Sequence, residues 1–425
     1  MTLTYRMRAT LPMLSTIMPA AGRGLSTLAS AIKLADPSLL RSQGYIGGVW
    51  ADADAGGTLD VADPSTGAII GNVVDMSAAE TRRAIGAASA AFPDWRSQTG
   101  KDRGAYLRRW FDLMIEHRED LAAIMTAECG KPLAESVGEI NYAASFLEWY
   151  AEEAKRIYGD VVPHTVAGRR ILVTKHPIGV VGAITPWNFP SAMITRKVAP
   201  ALAVGCPVVI KPSELTPFSA LALAVLAERA GFPAGVLNIV VGSDAKAIGE
   251  ELCASSAVRK IAFTGSTAVG KLLMRQSADT VKKVSLELGG NAPLLVFDDA
   301  DLDKAVEGAL ASKFRNTGQT CVCANRIFVQ DGVYEVFAQK LGAAVAAMKQ
   351  GPGTEPGVAL GPLIDGRAMV KVSAHVADAL DKGAQLVTGG AALPELGPNF
   401  FAPTVLTGAT PEMLFYREEV KLPFR

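Results

Sequence analysis

Gly318-Gln319-Thr320-Cys321-Val322-Cys323-Ala324-Asn325 places two cysteines one residue apart, behind a glycine-bearing turn. A thiolate is the strongest nucleophile a protein offers near neutral pH, so a cysteine in a loop between regular elements can carry covalent catalysis. Cys321 can equally be a small buried apolar residue, and its surroundings must decide. Cys323 has two readings of its own. It can pack, or it can close a reversible disulfide with Cys321 that switches the nucleophile off under oxidation. Cys129, Cys206 and Cys253 sit in apolar runs and read as core residues. No spacing among the five cysteines suits a zinc site, so no metal is expected.

The chain that must position this stretch has 425 residues, enough for two or three domains. Its 49% hydrophobic and 20% charged residues are values of a globular protein. Lys+Arg and Asp+Glu are both 42, which gives no basic excess to recruit nucleic acid or an anionic membrane surface. Apolar runs are broken well before they reach the ~18 to 20 residues of a membrane span. Few cysteines in so long a chain fit a reducing compartment. Residues 1–35 differ: Arg6, Arg8, Arg23 and Lys33 precede the first acid, Asp36. Such an acid-poor, Arg- and Ser-bearing start reads as a transit peptide and predicts the mitochondrial matrix, with a cytoplasmic protein as the alternative.

Stepping along the chain, residues 45–50 and 59–62 read as short strands. Ser77 with Glu80 makes a capping box that opens a helix to about 92. Further helices are expected at 102–129 and 133–158, then an extended arm ending at Pro177 within about 159–177. Beyond it, strands at 179–185, 207–210, 236–241 and 260–263 alternate with helices at 191–204, 217–230, 245–253 and 267–276. Continuous Val/Ile runs between helices predict a parallel sheet covered on both faces, with ligands at the carboxyl ends of its strands. A second α/β unit follows, with strands at 294–297, 326–329 and 385–387 and helices at 302–314, 333–348 and 369–381.

The loops at those strand ends hold the unusual chemistry. They are Thr185-Pro186-Trp187-Asn188-Phe189-Pro190, Lys211-Pro212-Ser213-Glu214, Phe263-Thr264-Gly265-Ser266-Thr267 and Leu286-Glu287-Leu288-Gly289-Gly290. Singly, each reads as an ordinary turn, helix cap or solvated acid. Together, and in this order with Gly-Gln-Thr-Cys, they resemble the NAD(P)-dependent aldehyde dehydrogenase superfamily from about Tyr45 to Glu419. Within it, the stretches 314–323 and 188–197 resemble succinate-semialdehyde dehydrogenase.

The resemblance implies an α/β protein with a Rossmann-type NAD-binding domain over 40–286, an oligomerisation arm, and a catalytic α/β domain over 287–425. It implies that Cys321 adds to an aldehyde, with the Asn188 amide and the Cys321 N–H as oxyanion donors and Glu287 as general base. An apolar, glycine-lined setting would suit Glu287 to that role. It places Pro186, Trp187, Arg196, Lys211, Ser213, Glu214, Gly265, Ser266, Thr267, Gly270 and Glu419 at the dinucleotide. Arg196 and Arg315 fall where a substrate carboxylate would bind, and arginine forks bind carboxylates bidentately. A small-molecule semialdehyde is therefore the expected partner, succinate semialdehyde first and glutarate semialdehyde second, as in 4-aminobutyrate degradation. Glu214 favours NAD, since a carboxylate accepts from a ribose hydroxyl but repels a 2′-phosphate; NADP remains possible.

The resemblance also carries a departure. After Glu418-Glu419-Val420 the chain reads Lys421-Leu422-Pro423-Phe424-Arg425, where the superfamily continues with an aromatic residue and Gly-Pro. The expectation is a C-terminally incomplete catalytic domain without the C-terminal oligomerisation strand of the homotetrameric relatives. A non-catalytic relative that binds cofactor or full-length partners is the alternative reading.

Overall fold

A computed structural model describes residues 32–418. The transit-peptide expectation falls almost wholly outside these residues, as does Glu419. The chain enters through the hairpin β1 (Gly44–Ile46) and β2 (Val49–Ala51), then the antiparallel pair β3 (Thr58–Ala62) and β4 (Ile69–Val74). Four helices follow: α1 (Ala78–Ser97), α2 (Gly100–Glu116), α3 (Arg118–Cys129) and α4 (Leu133–Glu153). The exposed hairpin β5 (Asp160–Pro163) and β6 (Arg170–Val173) leads into the alternating part of the chain.

That part runs β7 (Val180–Ile184), α5 (Ala192–Ala203), β8 (Val208–Lys211), α6 (Pro217–Arg229), β9 (Leu237–Ile239), α7 (Ala245–Ala254), β10 (Val258–Thr264), α8 (Thr267–Ser277) and β11 (Lys283–Glu287). The sheet order is β11-β10-β7-β8-β9-β1-β2, parallel from β11 to β9, with the β1–β2 hairpin added antiparallel. Val208, Val209 and Ile210 are at most 1% exposed, as expected of a strand covered on both faces.

The remainder comprises β12 (Pro293–Val296), α9 (Leu302–Lys313), β13 (Arg326–Val329), α10 (Tyr334–Ala346), α11 (Gly366–Asp381), β14 (Gln385–Thr388), β15 (Val405–Thr407) and the short α12 (Leu414–Arg417). Strands β12 and β13 pair in parallel, β14 and β15 antiparallel. A separate apolar cluster, with Val296, Ala309, Phe337, Val345 and Leu360, packs these elements.

Several boundaries differ from expectation. The helix expected over 102–129 is two helices, because His117 leaves the helical region (φ −96°, ψ 19°). Residues 45–50 form a hairpin, with Gly47 and Gly48 at positive φ to make its turn. The helix from Leu133 ends at Glu153 and relaxes into a short 3-10 turn, Ala154–Arg156. The capping box at Ser77 forms as read: Glu80 accepts from the Ser77 N–H at 2.8 Å. Helix α1 nevertheless runs past the expected end and carries Pro93 inside it.

Candidate active site

Register brings the four loops to one edge of the sheet. Ile184 pairs with Lys211, Phe263 with Ile184, and Thr264 with Glu287, so β7, β8, β10 and β11 end side by side. This is where a parallel sheet covered by helices presents its ligand crevice.

The loop that leads to Cys321 is strained. Asn316 (φ 50°), Thr317 (φ 55°) and Gly318 (φ 77°) are three successive left-handed residues before Gln319-Thr320-Cys321. A β-branched threonine rarely adopts this conformation, and each strained non-glycine residue costs about 1–3 kcal/mol. Surrounding contacts hold it. The Asn316 N–H donates to Glu135 Oε2 at 2.8 Å, and the Thr317 hydroxyl to the Gly361 carbonyl at 3.1 Å. Gln319 Nε2 donates to the Asn316 and Pro362 carbonyls, while its Oε1 accepts from the Ile364 N–H at 3.0 Å. The outcome is a partly exposed Cys321 on a rigid loop.

Asn188 is buried, and its Nδ2 donates to the Gln319 carbonyl at 2.8 Å, two residues from Cys321. Its own carbonyl accepts from Asn316 Nδ2 at 3.0 Å and from Lys131 Nζ at 2.8 Å. The two expected oxyanion donors therefore belong to loops tied together directly. Gly290 brings the Glu287 loop alongside, since a Cβ there would lie 4.0 Å from the Cys321 carbonyl oxygen.

Glu287 does not sit in the apolar setting expected of it. It is exposed, because β11 is the edge strand and its alternate residues Lys283, Ser285 and Glu287 face outward. The buried ionisable group near it is Lys197, which sequence reasoning did not single out. Burial pushes its ammonium down to about 8, with the negative charge of Glu287 pulling the other way.

At the dinucleotide loops, Lys211 ends β8 buried and pairs with Glu214 at 2.8 Å. Ser213 stays local, accepting from the Leu215 N–H at 3.3 Å. Ser266 caps α8 by accepting from the Val269 N–H, and the first turn of that helix contains Thr267 and Gly270. A Cβ at Gly270 would fall 2.5 Å from Leu288 Cδ2, and one at Gly265 2.3 Å from the Phe263 ring, so either substitution would make that side chain move. Thr185 Oγ1, Asn188 Oδ1 and Thr264 Oγ1 are buried at these strand ends without a partner. Helix terminus, Lys-Glu pair and orphaned polar atoms fit a dinucleotide, whose pyrophosphate and ribose hydroxyls supply acceptors and donors.

Arg315, one of the two arginines expected at a substrate carboxylate, lies close enough to Glu135 for its charge to oppose the rise that burial imposes on that carboxyl. Arg196 is half-buried, with its guanidinium over the Phe146 ring at 5.5 Å, and the exposed Arg315 lies over Phe189 at 5.3 Å. Neither forms an ion pair among the described residues. Trp187 is buried and lines a cavity of about 480 Å³ behind the nucleophile loop, with Gln319, Phe401 and His375; Cys321, Asn188 and Glu287 do not line it. Cys323 is buried, and its thiol contacts Thr320 Oγ1 at 2.9 Å and the Gly318 carbonyl at 3.2 Å; both cysteines are free thiols. Among the described residues no group of three or more His, Cys, Asp and Glu side chains is placed to hold a metal ion. No helix among them is long and apolar enough to cross a membrane.

Sequence reasoning also missed the support beneath these loops: Glu128 at the end of α3, Lys131 in the turn after it, and Glu135 and Glu139 in α4. Burial pushes the Glu128 carboxyl up to about 8, although its oxygens accept from the Phe218 and Ser219 N–H groups at the start of α6. The only signal was a run of acids around Lys131, which on a sequence looks like a solvated face.

Comparison with known proteins agrees with this architecture. The aldehyde dehydrogenase family matches residues 50–424. A glutarate-semialdehyde dehydrogenase of Pseudomonas putida is 60% identical over 388 residues, 91% of this chain and 80% of that protein. A succinate-semialdehyde dehydrogenase [NADP(+)] of Escherichia coli K12 is also 60% identical over the same shares. The crystal structure of succinate-semialdehyde dehydrogenase from Burkholderia pseudomallei superposes with a TM-score of 0.90 at 63% identity, covering 91% of this chain and 80% of that one. A Cys321 loop tied to the Asn188 loop at the carboxyl edge of a parallel sheet, and a family match over most of the length, place the chain in the aldehyde dehydrogenase family, as an NAD(P)-dependent oxidoreductase.

Proposed function

We propose that the chain oxidises succinate semialdehyde to succinate, with Cys321 as nucleophile. The observation that carries the reading is the Asn188 Nδ2 bond to the Gln319 carbonyl, which holds an oxyanion donor beside the nucleophile loop. The Cys321 sulfur adds to the aldehyde carbon, and the resulting alkoxide is met by the second N–H of Asn188 and by the Cys321 backbone N–H. Loss of such a donor typically costs about 3 to 4 kcal/mol of transition-state stabilisation. The nicotinamide, when bound, accepts the hydride. Glu287 then removes a proton from the water that hydrolyses the thioester; its exposed position on the edge strand gives it access to that water.

Arg196 and Arg315 bind the distal carboxylate, a role supported by the lack of an ion pair to either among the described residues and by the place of Arg315 over Phe189 in the Asn188 loop. The relatives' names span succinate and glutarate semialdehydes, so chain length is the open variable. Lys211, Ser213 and Glu214 take the adenosine ribose, with Pro186 and Trp187 lining the site; Ser266, Thr267 and Gly270 bring the α8 terminus to the pyrophosphate. Glu214 favours NAD. Glu419 completes the nicotinamide ribose contacts from outside the described residues. Cys323 serves as a redox partner for Cys321 only after leaving its present contacts with Thr320 and Gly318. We further assign the exposed β5–β6 hairpin to self-association and the N-terminal residues to mitochondrial targeting.

The test is substrate selectivity in Arg315→Leu. KM for succinate semialdehyde should rise at least about tenfold, the loss of one charge-assisted contact, while KM for a neutral aldehyde of the same length stays unchanged. Equal effects on both aldehydes would remove the carboxylate role. More efficient reduction of NADP than of NAD in the same assay would overturn the cofactor assignment.

A further inference from the structure

Residues 185–191, which carry Asn188, form no regular element between β7 and α5. Something outside the loop must set the position of the Asn188 amide. Lys131 and Glu139 stand directly behind it as an ion pair, both side chains 1% exposed. Such a pair is poor stabilisation in itself, because desolvating two charges offsets most of their attraction. Where each group points is more informative. Lys131 Nζ donates to the Asn188 main-chain carbonyl at 2.8 Å and lies 4.3 Å above the Phe189 ring. Glu139 Oε1 accepts from the Ser191 and Ala192 N–H groups at 3.0 and 3.2 Å, at the start of α5. The pair therefore holds the loop at its middle, through Asn188, and at its junction with α5, while the Asn188 side chain reaches across to the Gln319 carbonyl.

We propose that Lys131, held by Glu139, is a positioning residue for the oxyanion donor: acting through the Asn188 carbonyl, it sets where the Asn188 amide stands relative to Cys321. Its effect falls on reactions at Cys321 that pass through a tetrahedral oxyanion, not on sulfur reactivity in general. The inference rests on the roles proposed for Cys321 and Asn188.

Two reagents separate these effects on the 425-residue chain. With p-nitrophenyl acetate, the Cys321 thiolate attacks the ester carbonyl through an oxyanion; a C–S bond forms and p-nitrophenolate leaves with the C–O electron pair. With iodoacetamide the same sulfur displaces iodide and no oxyanion arises. Rates are read as p-nitrophenolate release and as mass gain on the Cys321 peptide. The variant Lys131→Met/Glu139→Gln removes both charges together, so no unpaired ion is left buried. Its acylation should slow about a hundredfold, the usual scale for a misplacement of about 1 Å, with alkylation at the wild-type rate. Lys131→Arg, which keeps the charges balanced and so guards against failure to fold, should fall between the two.

Wild-type acylation in both variants, or acylation and alkylation falling together, overturns the proposal. Asn188→Ala distinguishes the two levels. Slowed acylation in Asn188→Ala with unaffected Lys131 variants sinks only the positioning role. Unchanged acylation in Asn188→Ala sinks the oxyanion reading beneath it.

Discussion

At the scale of single residues, the site combines a strained nucleophile loop with charges held out of water. Thr317 keeps a left-handed backbone because its hydroxyl, the Asn316 N–H and the Gln319 side chain all have fixed partners. Cys321 and Asn188 were legible from their motifs, whereas Lys197 was not, since a helical lysine looks solvated until a neighbouring element covers it. Its consequence is measurable. With its ammonium lowered to about 8 from the ordinary 10.5, the unfolded chain binds the extra proton between those values. This lysine therefore makes stability rise with pH from about 8 to 10.5, and below 8 its full cost is present. Lys197→Met should flatten that rise in melting temperature and raise stability at pH 7. A curve identical to wild type would show that Lys197 is not held in a desolvated site.

At the scale of elements, alternation of Val/Ile strands with helices was enough to read the parallel sheet and its ligand-bearing edge. The break at His117 and the strand β4 were not visible, because tertiary contacts rather than local propensity decide them. The turn between α3 and α4 was the larger omission. Gly353 and Gly361 approach it so closely that a Cβ would meet the Lys131 and Gly130 carbonyl oxygens at 2.4 and 2.1 Å. The last turn of α3 caps α6 through Glu128, which accepts from the Phe218 and Ser219 N–H groups, while the N-cap Thr216 of α6 makes no side-chain bond. Glu128→Ala should therefore leave the Phe218 and Ser219 N–H groups unpaired in the interior, at about 1–3 kcal/mol each. Thermal unfolding should show a drop of that order, while a melting point equal to wild type would mean that the helix start is satisfied some other way.

At the scale of the whole molecule, the expected arm is a hairpin with little of its own to cover it. Val161 is 67% and Leu172 72% exposed, with Trp149 and Tyr158 exposed as well. An apolar two-stranded ribbon with open edges is the surface that the self-association proposed above would use. Sedimentation of the wild type should give an oligomer, and Val161→Glu/Leu172→Glu should shift it to smaller species. A monomeric wild type would contradict the assignment. The chain spans 80% of the length of the relatives compared with it.

The most direct test is NADH formation at 340 nm by the purified 425-residue chain, given succinate semialdehyde and NAD, beside Cys321→Ser. The account predicts steady NADH production by the wild type and a loss of at least about a thousandfold in Cys321→Ser, the scale of removing a catalytic nucleophile. Turnover that survives in Cys321→Ser, or a wild type that yields no NADH from succinate or glutarate semialdehyde with either NAD or NADP, would contradict it.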